Sequence, residues 1–274
     1  MKKIIFFTLL GILFFTGICL VMYPIISNAV NSLTNESKVN KYNTTVNTLN
    51  SSEKEQLIQQ ADEYNEYLAS DYFNSALTEK YKELSKSYDE ILNFGNGLIC
   101  YINIPEVNVK LPVYHSSVKD VLTKGAAHLK NSSFPIGGNN THSVISAHSG
   151  YPAQKFFDEL DELKIGDVFY ISILNKTLKY KVSEINIVEP DDSEKLKIVK
   201  GKDMVTLATC YPFSVNTHRL LVTGERVNTD MKENIKNTET FKINMDLNMW
   251  CISLFIILCI IYTIILTIRL KIRR

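Results

Sequence analysis

Residues 97–114, with the sequence GLICYINIPEVNVKLPVY, mark the point at which the chain changes from a helical pattern to a strand pattern. Leu98–Ile104 is rich in apolar and β-branched residues, which predicts a strand. Pro105 ends this strand because proline cannot donate to a β-ladder. Val107–Tyr114 alternates between apolar and other positions and predicts a second strand.

Short strand patterns continue to about residue 227. Further strands are predicted over residues 143–147, 168–174, 178–188, 204–209 and 220–227. Short helices are predicted over residues 118–129 and 156–163, and Asn175-Lys176 is the predicted turn of a hairpin. About eight short strands with few long helices are typical of a closed, mostly antiparallel barrel. We therefore predict a mostly β fold, an eight-stranded β-barrel over residues 97–230.

The segment before the barrel is predicted to become helical part-way along. Residues 28–50 are rich in Asn, Thr and Ser, which favours a loose stalk. Ser52–Glu55 matches a helix capping box, and apolar residues at helical spacing follow it. The spacing lapses over residues 69–74 and resumes over residues 77–91, which predicts two helices joined by a short break.

Two uncharged apolar segments flank the central region. Residues 4–22 and 247–268 each have about the 20 residues that a helix needs to cross the hydrocarbon core of a bilayer. Lysines precede the first segment and a basic tail, residues 269–274, follows the second, and positive residues beside membrane spans stay in the cytoplasm. We therefore expect an anchor in residues 1–27, a linker over residues 231–246, a second transmembrane helix, two cytoplasmic termini and an extracellular central region.

Each apolar segment has a second interpretation. The first could be a cleaved signal peptide, although its apolar run is long and Tyr23-Pro24 lacks the small residues of a cleavage site. The second could end a cell-wall sorting signal, but no Leu-Pro-x-Thr-Gly-like motif precedes residue 247. We therefore favour an uncleaved anchor and a second membrane helix.

The composition excludes several classes of function. The chain has 274 residues and a net charge of +1, so it lacks the charge excess that displaces counterions from nucleic acid. Of its five cysteines, only Cys100 and Cys210 lie between the apolar segments, which is too few for a disulfide scaffold, although a single Cys100–Cys210 bridge remains an alternative. No zinc-ligand spacing or phosphate-binding loop is present, so no metal or cofactor is predicted.

Cysteine chemistry is the reaction type for which the sequence offers candidates. A cysteine nucleophile needs thiolate character, a histidine that exchanges protons and a donor for the oxyanion. Cys210 and His148 each follow a predicted strand, where a side chain is exposed and firmly held. Arg219 comes nine positions after Cys210, so a hairpin would return it to the cysteine. Taken singly, these residues could equally be a buried core thiol, a surface histidine and a surface arginine.

Three segments together resemble the sortases, a family of cysteine transpeptidases of Gram-positive cells. Residues 206–210, TLATC, resemble the strand end that carries the family's cysteine. Residues 216–222, NTHRLLV, and residues 142–150, HSVISAHSG, resemble the segments that carry its arginine and its histidine. The resemblance covers about residues 97–227. It implies a sortase-like barrel with Cys210 as nucleophile, His148 as proton donor and acceptor, and Arg219 as holder of the substrate and oxyanion.

Within that family the chain is most similar to class C, the pilus polymerases. The segments YINIP at residues 101–105 and GGNNTH at residues 137–142 resemble this class, as does the second membrane helix. Class C enzymes carry a helical N-terminal lid with an Asp-Pro-aromatic motif. Asp71-Tyr72-Phe73 has the acid and an aromatic of this motif but lacks the proline. The resemblance implies a lid at these residues, within a stalk and lid region over residues 28–96. A plain helix break at Asp71–Phe73 is the competing interpretation.

The resemblance implies a membrane-anchored transpeptidase with defined partners. Its substrate would be a sorting signal resembling Leu-Pro-x-Thr-Gly, cleaved after threonine and joined to a lysine amine of a pilin. The expected partners are sorting-signal proteins and the membrane, with a cell-wall precursor if the enzyme instead anchors surface proteins. A catalytically silent membrane scaffold and a hydrolytic cysteine protease are two further hypotheses for the function.

Overall fold

The computed structural model describes residues 2–74, 87–152 and 154–227. The described part of one unit is residues 2–29, and the second unit, Val30–Asp230, contains the barrel. The predicted linker, second membrane helix and basic tail, residues 231–274, lie outside the described residues.

The chain begins with a long helix, α1, over Lys2–Thr48. Its first part is apolar on all sides and its side chains are exposed, with Leu13 at 70% and Leu20 at 71%. Among the residues that the structure describes, α1 is the one helix long and apolar enough to cross a membrane.

The second part of α1 corrects the loose stalk predicted over residues 28–50, because the helix continues to Thr48. Thr44 and Thr45 each donate a hydroxyl hydrogen bond to the carbonyl four residues earlier, which satisfies these polar groups within the helix. Tyr42 and Val46 are buried in the core of the barrel unit. Burial of this face overrides the weak helix propensity of the Asn- and Thr-rich sequence.

The second helix, α2, spans Ser51–Asn74. The Glu53 N–H donates to Asn50 Oδ1 at 2.9 Å, and the Asn50 N–H donates to Glu53 Oε2 at 2.8 Å. This reciprocal pair is a capping box that begins two residues before the predicted one at Ser52.

The break predicted over residues 69–74 is wrong, because α2 continues through these residues. The helix is anchored by burial on one side, where Ala61, Tyr64 and Leu68 repeat at helical spacing. Most of the second predicted helix, residues 77–91, lies outside the described residues, and its described end forms turns.

Eight strands follow and close into a barrel. They are β1 (Leu98–Ile104), β2 (Val109–His115), β3 (Ala126–His128), β4 (Thr141–Ser146), β5 (Val168–Ile173), β6 (Lys176–Val188), β7 (Asp203–Tyr211) and β8 (His218–Arg226). Their order around the barrel is β1-β2-β3-β4-β7-β8-β6-β5. The pairs β2–β3 and β4–β7 are parallel and the others are antiparallel, which confirms the predicted closed, mostly antiparallel barrel.

The two predicted short helices are reduced to single 3-10 turns, Val121–Thr123 and Leu160–Glu162. The first prediction, residues 118–129, failed because β3 forms inside it and pairs with β2. Gly125 permits this approach, since a Cβ at that position would lie 2.4 Å from the Pro112 carbonyl oxygen.

The hairpin between β5 and β6 turns one residue earlier than predicted. Leu174 and Asn175 both have positive φ, at 49° and 63°, and Lys176 already belongs to β6. A two-residue hairpin turn with positive φ at both positions matches the twist of the flanking strands. The Leu174 N–H also donates to Tyr42 Oη at 3.0 Å, which joins this turn to α1.

Three histidines lie on strands and are buried: His115, His128 and His142. His128 Nε2 bonds to the Ser133 carbonyl and its Nδ1 to Tyr88 Oη, both at 2.9 Å. Burial lowers the pKa of His128 to about 4. It is therefore a neutral core residue at physiological pH.

Candidate active site

The hairpin of β7 and β8 brings a cysteine and an arginine together. Cys210 lies directly opposite Arg219 in the antiparallel register, next to the pair of Tyr211 and His218. Directly opposite residues project to the same face of a sheet. Leu207 and Leu220 point into the core. Because side chains alternate along a strand, Cys210 and Arg219 project from the outer face.

Strand β4 delivers the candidate histidine to the same end of β7. These strands are parallel and in register up to Ser146 opposite Ala208. The Ala147 N–H donates to the Ala208 carbonyl at 3.1 Å, so the ladder continues beyond β4. Two further steps along this register lead from Ser146 to His148 and from Ala208 to Cys210, on the same face.

The loop after His148 is closed around that residue by hydrogen bonds. The Phe157 N–H donates to the His148 carbonyl at 3.0 Å. The Asp158 carboxylate accepts from the Gly150 N–H at 2.9 Å and the Phe156 N–H at 2.7 Å. These three bonds fix the backbone on both sides of the imidazole.

Two aromatic rings then hold the imidazole itself. Tyr151 stacks on His148 with ring centroids 5.6 Å apart and an interplanar angle of 10°. Phe156 meets the same ring edge-on at 6.4 Å. No periodic signal in the sequence marks Tyr151 or Asp158 as part of the site, because their contacts depend on a loop geometry.

Arg219 is held by the backbone of its own loop. Its Nη1 donates to the His218 carbonyl at 2.9 Å and to the Asn216 carbonyl at 3.4 Å. No carboxylate pairs with this guanidinium among the described residues. A guanidinium carries five N–H donors in a rigid fork, so others remain available for a carbonyl or an oxyanion.

The loops at this rim are adjacent and partly apolar. A Cβ added at Gly150 would lie 3.6 Å from the Phe213 ring, which places the loop after β4 against the loop between β7 and β8. Phe213 and Val215 are exposed, at 55% and 65%. These side chains offer apolar surface beside the half-buried Cys210.

A buried polar network fixes the outer face of β7 below the cysteine. Thr206 Oγ1 bonds to His142 Nε2 and to Thr223 Oγ1, both at 2.7 Å. On the opposite face of the same strand, Thr209 Oγ1 donates to the Ala147 carbonyl at 2.8 Å and links β7 to the strand that leads to His148. Thr206, Thr209 and His142 belong to the segments that resemble the sortases, but nothing in the sequence indicates the bonds between them.

The described cysteines differ sharply in accessibility. Cys100 is fully buried, and burial raises its pKa above the ordinary range of a thiol. Cys210 is half-buried at the barrel rim. Cys100 and Cys210 are both free thiols, so the structure does not contain the Cys100–Cys210 bridge that the sequence left open. Accessibility therefore favours Cys210 as the reactive thiol.

Asp71, Tyr72 and Phe73 lie in the last turn of α2, but their side chains are outside the described part of the structure.

Within the described ranges, no group of three or more His, Cys, Asp or Glu side chains is placed to hold a metal ion. The side chains of Cys210, His148 and Arg219 supply a thiol, an imidazole and a guanidinium at this rim.

Comparison with known proteins identifies the family. The family model of the sortase domain matches residues 102–227. Sortase C1 of Streptococcus agalactiae is 41% identical, with a TM-score of 0.64, and the match covers 71% of this chain and 100% of that one. This chain belongs to the sortase family.

Class C sortases are prominent among its structural relatives. Sortase C of Clostridium perfringens, solved with the C-terminal cell wall sorting motif, is 43% identical with a TM-score of 0.61, over 70% of this chain and 99% of that one. Sortase A of Bacillus anthracis is 33% identical over 134 residues, 48% of this chain and 61% of that protein. The chain thus spans about three fifths of the length of this curated relative but nearly the whole length of the two solved class C sortases.

Proposed function

We propose that this sortase is a membrane-anchored cysteine transpeptidase that polymerises pilins. The observation that carries the proposal is the cross-strand pair of Cys210 and Arg219, with His148 at the end of the neighbouring strand β4. This arrangement sets a nucleophile, an oxyanion donor and a proton-transfer group on one rim of a rigid barrel. The family match supports the same roles, since it includes all three residues.

In the first half-reaction, the Cys210 thiolate attacks the threonine carbonyl carbon of a sorting signal resembling Leu-Pro-x-Thr-Gly. Arg219 donates hydrogen bonds to the carbonyl oxygen as negative charge develops on it. The Thr–Gly carbon–nitrogen bond breaks, and protonated His148 gives its proton to the departing glycine amine. The product is a thioester between Cys210 and threonine.

In the second half-reaction, a lysine amine of another pilin attacks the thioester carbon. Neutral His148 accepts the proton of the amine, the carbon–sulfur bond breaks, and an isopeptide bond and a free thiolate result. Water competes with the amine at this stage, so the site has to limit solvent access. We assign this role to a lid at the end of α2, with Asp71 near Arg219 and Tyr72 or Phe73 over Cys210.

The apolar first part of α1 is proposed to be the membrane anchor. Residues 247–268 are proposed as a second span, supported by their uncharged sequence and the basic tail that follows. Both termini are then cytoplasmic, and the barrel faces outward on a Gram-positive cell, where sorting-signal proteins are exported.

The class C relatives favour pilin polymerisation over wall anchoring. They match this chain along nearly their whole length. The Clostridium perfringens structure with a cell wall sorting motif supports such a motif as substrate. In wall anchoring, a cell-wall peptide amine would replace the pilin lysine as acceptor.

The product made in cells tests this proposal. We would express the full chain with a sorting-signal pilin in a Gram-positive host without its own sortases, beside Cys210→Ala and the control Cys19→Ala. Boiling-resistant ladders in the wild type and in Cys19→Ala, absent in Cys210→Ala, are the expected result. A single wall-linked species that depends on Cys210 would refute polymerisation and identify the enzyme as one that anchors proteins to the cell wall. Identical products from all three strains would refute a role for Cys210.

The role of Arg219 is tested with purified full-length enzyme and a sorting-signal peptide. Arg219→Lys keeps the positive charge but loses the planar fork, and we expect kcat to fall by about 10²–10³-fold, the effect of removing one oxyanion donor. Arg226→Lys, at the other end of β8, is the matched control. Equal activities of the two variants would contradict the assignment.

A further inference from the structure

A cavity of about 620 Å³ lies between helix α1 and the barrel, within the unit Val30–Asp230. One wall is a single face of α1, on which Lys38, Tyr42 and Thr45 recur at helical spacing. The opposite wall comes from the start of β1, the end of β2 and the turns beside them. None of its lining residues belongs to β4, β7 or β8, the strands that carry the candidate active site.

The rim of this cavity is strongly cationic. Lys38, Lys41, Lys119 and Lys124 line it, and no Asp or Glu does. Among the described residues, none of these four lysines forms an ion pair. Four ammonium groups without a counter-charge produce a positive potential that attracts anions.

Backbone carbonyls hold two of these ammonium groups close together. Lys38 Nζ donates to the Lys124 carbonyl at 3.0 Å, and Lys124 Nζ donates to the Lys119 carbonyl at 2.9 Å. Burial, and then the neighbouring charge of Lys124, lower the pKa of Lys38. The fold therefore keeps like charges on one rim of the cavity, an unfavourable arrangement that a bound anion would relieve.

The interior of the cavity is aromatic and apolar. Tyr42 is buried and meets Phe94 edge-on, with ring centroids 5.1 Å apart. Leu98 and Tyr114, paired across β1 and β2, are also buried and line the cavity. A small inorganic anion would contact only the lysines, whereas an anion that carries an apolar group would fill both parts.

The geometry points to a binding site for a phosphate ester that carries an apolar group, with the phosphate among Lys38, Lys41 and Lys124 and the apolar group against Tyr42 and Phe94. A multiply charged phosphate suits several ammonium groups, each of which acts as a point charge with three donors. The volume is in the usual range of small-molecule sites. An anionic phospholipid, with its headgroup phosphate and its acyl chains, and a soluble aryl phosphate share this chemistry.

Lysine footprinting tests the site without requiring transpeptidation. The full chain in phosphatidylcholine nanodiscs is acetylated with and without 1-naphthyl phosphate, and the rate at each lysine is read by mass spectrometry. We expect a saturable decrease at Lys38, Lys41 and Lys124 and no change at Lys202, the residue directly before β7. 1-Naphthol should give no protection, and inorganic phosphate should need at least tenfold higher concentration.

Variants and nanodisc composition sharpen the result. Lys38→Gln and Lys124→Gln should each weaken the binding of 1-naphthyl phosphate about tenfold, which is the effect of one charge-assisted hydrogen bond. Lys202→Gln should leave this binding unchanged. Protection of the wild type by phosphatidylglycerol nanodiscs alone would identify a phospholipid. Protection that requires soluble 1-naphthyl phosphate in both kinds of nanodisc would identify a free ester.

Two results would overturn the proposal. One is unchanged acetylation of the wild type at millimolar 1-naphthyl phosphate. The other is equal protection of Lys202, which would show general attraction of anions to lysine. Because the footprint is also measured on Cys210→Ala, failure of the proposed catalytic function would leave this test unaffected.

Discussion

Replacement of Asn65 by leucine should detach α2 from the barrel at a defined point. Asn65 is 2% exposed and pairs with the backbone of Phe134. The Phe134 N–H donates to Asn65 Oδ1 at 2.7 Å, and Asn65 Nδ2 donates to the Phe134 carbonyl at 3.1 Å. Leucine has a similar size but can make neither bond.

The expected destabilisation follows from what each Phe134 group loses. The carbonyl still accepts from the Ile136 N–H at 2.8 Å, so its loss is one ordinary hydrogen bond of about 0.5–1.5 kcal/mol. The N–H is left buried without a partner, which costs about 1–3 kcal/mol. Leucine returns about 0.5 kcal/mol through its higher helix propensity. The net decrease in the free energy of unfolding is therefore about 1–4 kcal/mol.

Thermal unfolding of the full chain in a mild detergent measures this change. For a unit of about 200 residues, 1 kcal/mol shifts Tm by about 2–4 °C, so we expect a decrease of about 2–16 °C. Gln59→Leu, on the exposed side of the same helix, is the matched control and should leave Tm unchanged. Hydrogen exchange at the Phe134 amide should accelerate in Asn65→Leu only. An unchanged Tm together with unchanged exchange would refute the reasoning.

Three further measurements test other contacts. Burial lowers the pKa of His128 to about 4, so the unfolded chain binds a proton first as pH falls below about 6.5. In urea titrations, the free energy of unfolding should therefore be full above about pH 6.5 and lower by about 3 kcal/mol at pH 4. A flat profile would count against a buried neutral ring. Iodoacetamide at pH 8 should modify Cys210 in the folded protein and Cys100 only in urea, since burial raises the pKa of Cys100, and equal labelling would contradict this. Tyr151→Leu should lower kcat about two- to tenfold and alter the pH profile of kcat. Tyr151→Phe keeps the stack on His148 and should retain the wild-type kcat and pH profile. Equal losses of kcat in the two variants would show that stacking is not the cause.

The local patterns of the sequence predict most of the barrel. Alternating and β-branched runs locate β1, β2 and the β5–β6 pair within a few residues, because each strand has one face in the core. The pairing of Cys210 with Arg219 is also foreseeable, since a hairpin is a local structure. Strand β3 was missed because it has three residues and is specified by parallel pairing with β2, which leaves no pattern in its own sequence.

Long-range contacts account for what sequence patterns could not predict. The approach of His148 to Cys210 depends on the parallel β4–β7 ladder, and only the resemblance to a known family indicated it. The loose stalk predicted over residues 28–50 is wrong because the burial of Tyr42 and Val46, rather than helix propensity, stabilises a helix there. In both cases a distant partner decides the local structure.

Strand β7 has a neighbour on each edge, β4 in parallel and β8 in antiparallel pairing, and this offers an opportunity for enzyme engineering. The backbones of Cys210 and Arg219 are fixed by the two ladders, whereas the apolar rim beside Cys210 comes from the loop that contains Phe213 and Val215. Residues 212–217 could therefore be exchanged for the equivalent loops of other sortases without disturbing either ladder. Such chimaeras would allow the choice of substrate to be reprogrammed separately from the bond-forming step.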